Sequence, residues 1–199
     1  MDPLLRLAYR IARFGVWFGG VLLIAAALLI GVEVVIRKLF SLSIGGADEL
    51  SGYALAISTS WALAFALLER AHIRIDSLYA RLPVRLCAAL DIVGLALLTA
   101  FFALITWYGF GVFRTSYTLG AESLSPLGTP LVVPQLLWVL GLVMFIAIAV
   151  LLLIRAIAAL LTGDLATVRR LVGSRTLREE VAAELGEVHH AGPATEPRA

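Results

Sequence analysis

The sequence predicts an all-α integral membrane protein with four transmembrane helices, an interfacial segment between the second and third, and a cytoplasmic C-terminal helix. Two observations carry that reading. Hydrophobic residues make up 61% of the 199 residues and the mean hydropathy is +0.96, values outside the range of soluble domains. The apolar residues also run in long blocks separated by short charged clusters, whereas a soluble core interleaves the two at helical or strand period.

Helix 1 is expected from about Ile11 to Ile36. Arg6, Arg10 and Arg13 precede it in the manner of a secretory signal, but a signal core is only ~7–15 residues long and is followed by a small-residue cleavage site. The block beginning at Phe14 is longer and has no such site, so it is read as a retained span. Helix 2 runs from about Leu50 to Leu68, helix 3 from about Val84 to Phe113, and helix 4 from about Leu131 to Leu161. Each has the ~20 apolar residues needed to cross ~30 Å of hydrocarbon.

Four crossings put both termini on one side, and the arginines choose the side. Arg6, Arg10 and Arg13, then Arg70, Arg74, Arg81 and Arg85, then Arg155, Arg169 and Arg170 flank one face of the membrane. The other face has Arg37, Lys38 and Arg114. Basic loops stay inside, so both termini are expected in the cytoplasm of a bacterial inner-membrane protein.

Between helices 2 and 3, Ile73, Ile75, Leu78, Tyr79 and Leu82 alternate with Arg74, Asp76 and Arg81. That stretch is too polar to span and too apolar to float, so it is read as an interfacial segment ended by Pro83. The stretch from Thr115 to Pro134 holds Gly120, Pro126, Gly128, Pro130 and Pro134 and reads as a loop. Past Gly163, Asp164 caps a helix in which Leu165, Val168, Leu171 and Val172 share a face. The expected organisation is a transmembrane domain over residues 1–162, a cytoplasmic tail helix over 163–188, and a disordered tail over 189–199.

Composition also limits the chemistry. A formal charge of +2, spread beside hydrophobic blocks, implies membrane lipids and no nucleic acid as partners. Cys87 is the single cysteine, so no intramolecular disulfide forms. No HExxH, GxSxG or phosphate-loop motif is present, and His72 lies beyond the helix end from Ser58 and Ser60, so these make no protease. No catalytic residue, substrate-binding residue, metal site or cofactor is assigned.

Glu33 is the most expensive residue to place, since a carboxylate in hydrocarbon costs roughly 2–4 kcal/mol. One reading makes it the proton-coupling group of an autonomous small exporter. The other makes it half of a helix-end ion pair with Arg37, four residues on, with both reaching the interface. Asp48 and Glu49 open helix 2, where the helix dipole favours negative charge. A capping role and a partner-contact role both fit them.

Helix 2 has two small faces, Ala54, Ser58, Ala62 and Ala66 on one and Ala56, Ser60 and Ala64 beside it. In lipid, small residues permit close helix approach, so helix 2 is expected among other helices. Gly15 and Gly19 form a single GxxxG, a weak signal. Trp17, Trp107 and Trp138 read as interfacial or lipid-facing aromatics. If the segment before helix 3 is helical, His72 and Asp76 face one another at i,i+4, the spacing of a satisfied interfacial histidine.

The stretch from Ala47-Asp48-Glu49-Leu50-Ser51, through helix 2, to His72-Ile73-Arg74-Ile75-Asp76 and Leu82-Pro83 resembles the small permease subunit of tripartite ATP-independent periplasmic (TRAP) transporters. The Ser125-Pro126 to Pro134 loop is similar to that family's entry into its fourth helix. Leu67-Leu68-Glu69-Arg70 departs from the small or basic residues common there. The resemblance covers roughly residues 10 to 160. It implies a four-helix subunit that braces a large permease subunit during ion-coupled uptake of an organic acid delivered by a periplasmic binding protein. On that account Asp48, Glu49, Ser58, Ala62, His72, Arg74 and Asp76 are partner contacts.

Overall fold

In the computed structural model the described residues are 3–70 and 82–172. They form α1 (Pro3–Phe40), α2 (Ala47–Leu68), α3 (Val84–Leu119), α4 (Val132–Leu161) and the short α5 (Leu165–Val172). No strand occurs among them. The first four helices are each long and apolar enough to cross a membrane, as expected for a multi-pass membrane protein.

Two of the helices, α1 and α3, outrun their apolar blocks. The 38 residues of α1 rise ~57 Å, nearly twice the ~30 Å of hydrocarbon. Arg6, Arg10 and Arg13 therefore belong to the helix rather than to a flank before it. Hydropathy marks the part of a helix that lies in lipid and is blind to the polar turns that continue it. At the other end of the chain's middle, α3 passes Thr115 and stops at Gly120, which takes the left-handed conformation at φ 57°. The Thr115 hydroxyl donates to the Gly111 carbonyl at 3.0 Å, so its side chain is satisfied within the helix. Pro134 falls inside α4 and is buried. It sits in the first turn, where a missing N–H removes no helical bond.

The order in space is α1, α2, α4, α3, with α4 between α2 and α3 and with α5 lying against α4 and α3. On α1, Ala8, Ala12, Gly15, Gly19, Ala26 and Glu33 are buried, at the three- and four-residue spacing of one face. The opposite face, including Phe14, Trp17, Val21, Ile24 and Leu28, is exposed, as befits a surface solvated by lipid.

Close approach depends on glycine at three crossings. A Cβ on Gly19 would stand 3.1 Å from the Ser58 Cα. One on Gly141 would strike the Ser60 hydroxyl and stand 2.7 Å from the Trp61 ring, and one on Gly109 would stand 2.8 Å from the Trp138 ring. With no hydrophobic drive between helices in lipid, such contacts supply the dispersion energy of association. Trp138 is thus half-buried against α3, a correction to its lipid-facing reading, whereas Trp17 and Trp107 remain 68% and 77% exposed.

Below these crossings lies the core, where Ala64 and Leu67 of α2, Leu95 of α3, and Phe145, Ile148 and Leu152 of α4 pack together. The Phe102 and Phe145 rings meet at 4.5 Å between centroids. Asp164 caps α5 as its sequence predicts, its Oδ1 accepting the Thr167 N–H at 3.0 Å. Val168 is fully buried and Leu171 packs on the core. Residues 173–199 and the segment holding His72, Arg74 and Asp76 lie outside the described residues.

Candidate functional site

The six residues 41–46 join α1 to α2, and residues 120–131 join α3 to α4. Both connections lie at the same end of the bundle and are fastened by buried or half-buried carboxylates. Their fastening gathers Glu33, Arg37, Ser43, Glu49, Ser123 and Ser125 through side-chain hydrogen bonds, so it is the candidate site.

Glu33 is 3% exposed, about two helical turns before Ser41. Its Oε1 accepts from Arg37 Nη2 at 2.6 Å and from the Ser43 hydroxyl at 2.6 Å. Its Oε2 accepts the backbone N–H of Ile44 at 2.8 Å. Helical spacing brings Arg37 to the carboxylate. The other two donors come from the turn that follows, where Ser41 adopts a positive φ of 53° and sends the chain back. The Arg37 side chain is 59% exposed while that of Glu33 is 4%, so the arginine stands at the surface of the bundle and the carboxylate beneath it. The expected i,i+4 pair forms, with its carboxylate buried under the turn.

Glu49 stands in the first turn of α2. Its Oε1 accepts from the Tyr53 hydroxyl at 2.8 Å, and its Oε2 accepts from the Ser123 hydroxyl at 2.9 Å, across 74 residues of sequence. Ser123 Oγ also accepts the Thr129 N–H at 3.2 Å and lies 3.1 Å from Ser125 Oγ. Ser125 Oγ in turn accepts the Leu127 N–H at 3.2 Å. The Glu49 carboxylate thereby anchors the α3–α4 connection at Ser123, and the connection closes on itself through Ser123 N–H to the Thr129 carbonyl at 2.9 Å.

The two connections also pack directly. Gly45 has φ +73°, and a Cβ there would meet Pro126 at 3.2 Å. At Gly46 a Cβ would meet Leu127 Cγ at 2.5 Å. Side-chain-free backbone at 45 and 46 is the seat for the Pro126-Leu127 corner. A small cavity of about 220 Å³ remains, walled by Glu33, Ser43, Asp48, Glu49 and Ser125 among others. Asp48 is exposed at its edge.

On α2, Ser58 is 2% exposed and donates to the Gly19 carbonyl of α1 at 2.9 Å. Its small face is therefore occupied by α1, and the neighbouring face bearing Ser60 by Gly141 of α4. Ala62 is half-buried. Sequence reasoning passed over Trp61, whose indole N–H donates to the Leu137 carbonyl at 3.0 Å and whose ring lies under Gly15. A tryptophan in mid-span, far from either interface, needs a buried acceptor, and that was the available signal. It also passed over Asp91, 3% exposed on α3 and engaged with a partner. An acid inside a span is a signal in itself.

Chemically, the end plate holds loops. The donors on Glu33 and Glu49 are supplied by the chain itself, and no group of three or more metal-ligating side chains forms among the described residues. Neither a curated relative nor a solved structure matches the chain. A family model does: that of the tripartite ATP-independent periplasmic transporters, DctQ component, over residues 26–159, more than half of the 199 residues.

Proposed function

The chain belongs to the DctQ component family, the small subunit of TRAP transporters, and from that membership we propose that its work is to brace a large permease subunit while the latter moves. The family is one of transporter components and not of enzymes. In this proposal the assembly carries out ion-coupled uptake of an organic acid, with sodium as the coupling ion and a periplasmic binding protein as the donor of substrate.

One observation supports bracing above all. Glu33 and Glu49, two of the carboxylates that a transport mechanism could recruit, are both committed to the chain's own connections, and Asp91, the buried acid of α3, is engaged as well. A group that carries a proton or an ion must exchange partners during the cycle, whereas a brace keeps them. The glycine-mediated crossings of α1 on α2 and of α2 on α4 favour the same role, because tightly seated backbones resist sliding.

In this reading the bundle lies in the inner membrane with the end plate in the periplasm and both termini in the cytoplasm, following the arginine asymmetry. Asp48, at the edge of the plate, is a proposed partner contact, and so are His72, Arg74 and Asp76, which lie outside the described residues. Purification of the chain from native membranes in mild detergent tests the assignment. A much larger membrane protein should travel with it at fixed stoichiometry. Purification of the chain alone, active in transport when reconstituted, would replace the brace by an autonomous carrier.

A further inference from the structure

Arg6, Arg10 and Arg13 stand on α1 at i, i+4 and i+7, which at 3.6 residues per turn puts them within about 60° of one another and over about 10 Å of axial rise. All three are exposed. The positive-inside rule counts basic residues at the end of a span and sets no condition on where around the helix they stand, so topology alone does not account for their gathering on one face. Nor do neighbouring acids. α1 carries no acidic residue between Pro3 and Val32, and no carboxylate among the described residues forms an ion pair with the three arginines.

The same face continues downward as an apolar column. Trp17, Val21 and Ile24 follow at the next three- and four-residue steps, and with the arginines they keep to an arc of about 80°. All three are exposed, while Gly15 and Gly19 on the opposite side seat against α2. Ile24 lies about 16 Å along the axis from Arg13, close to the ~15 Å of hydrocarbon in one leaflet. What fits this column has an anion at the level of the arginines and an apolar chain directly beneath it. Arginine stems lie along apolar surface with their heads among the headgroups, and a guanidinium fork matches the oxygens of a phosphate. A zwitterionic headgroup would bring a second cation into the cluster, where α1 has no acid to receive it.

We propose that this face of α1 is a binding site for one phospholipid of net negative charge, its phosphate held by Arg6, Arg10 and Arg13 and its tail laid along Trp17, Val21 and Ile24. The arginines thus select a lipid as well as orienting the span. The inference needs only that α1 crosses a membrane and is independent of the bracing role.

The full chain, purified in neutral detergent, is titrated with dioleoyl phosphatidylglycerol, with dioleoyl phosphatidylcholine and with inorganic phosphate, and native mass spectrometry counts what stays bound. Phosphatidylglycerol should be retained in preference to phosphatidylcholine, which has the same tails, and to inorganic phosphate, which has none. Arg10→Gln leaves two arginines to orient the span and should weaken phosphatidylglycerol binding about fivefold, the worth of one basic residue at an anionic lipid surface. Arg114→Gln, which removes an exposed arginine of α3, should leave it unchanged. The parent chain supplies a reading that needs no variant: raising the salt should weaken retention, because exposed charges are screened. Equal retention of the two lipids, equal effects of Arg10→Gln and Arg114→Gln, or retention indifferent to salt overturns the inference. Inorganic phosphate held as tightly as the lipid would make this a site for free anions and overturns it as well. So does absence of the lipid from the chain isolated together with its large subunit, which would give the face to that subunit.

Discussion

The carboxylate of Glu33, on α1, accepts the backbone N–H of Ile44 at 2.8 Å, so the last buried acid of the first span fixes the backbone of the turn that leads into the second. The same carboxylate takes Ser43 and Arg37. Glu33→Ala should therefore destabilise the protein more than Glu33→Gln, whose amide oxygen still accepts, and protease cleavage within residues 41–46 should rise in the same order. Uptake by the reconstituted transporter should persist in Glu33→Gln with a modest loss. Abolished uptake in a variant that inserts and assembles normally would move Glu33 into the transport mechanism.

Gly19 and Gly20 offer a test of the α1–α2 crossing in adjacent residues. A Cβ at 19 meets the Ser58 backbone, while a Cβ at 20 meets nothing within 4 Å. Gly19→Leu should cost about 1–3 kcal/mol as overpacking against backbone that cannot yield, whereas Gly20→Leu should stay within about 0.5 kcal/mol of the parent. Thermal unfolding in detergent reads both. Equal effects at the two positions would show that the crossing is not where the structure puts it.

At the α2–α4 crossing, Gly141→Val should cost about 1–3 kcal/mol for the same reason. Ser60→Gly removes one of the two obstructing groups and leaves Trp61, so it should restore part of the loss. The expected coupling is about 0.5–2 kcal/mol in a double-mutant cycle. Strict additivity would argue that residues 60 and 141 do not touch.

Topology is testable by fusion. Reporters after Ala199 and near Arg81 should read cytoplasmic, and one near Gly120 periplasmic, because the arginines collect at the ends of α1 and α3 remote from the two fastened connections. A periplasmic signal near Arg81 would be incompatible with four spans.

Much of the architecture is legible in the sequence because lipid imposes a simple rule: a span is a long apolar run, and α2 and α4 begin and end within a few residues of theirs. Local chemistry is legible too, as with Asp164 at the start of α5 and Arg37 four residues from Glu33. What is not legible is contact between residues distant in the chain. Nothing in the sequence pairs Glu49 with Ser123 or Trp61 with the Leu137 carbonyl, since those pairings are set by how the helices are seated. The depth of Glu33 escaped for a related reason. Its position near a helix end suggests exposure, but the turn after Phe40 folds back over it and supplies donors that spacing rules along one helix do not see.

Because α4 is the only described span that touches both α2 and α3 extensively, the order of synthesis matters for assembly. The α1–α2 hairpin, with Gly15, Gly19, Ser58 and Trp61 all present, is complete once residue 68 has entered the membrane. α3 then waits without its main neighbour until the last span arrives. A chain released at Gly120 should hold a protected first hairpin and a protease-sensitive third helix. Biogenesis would thus proceed in two instalments, and the final span is the one whose failure to insert leaves quality control the most to remove.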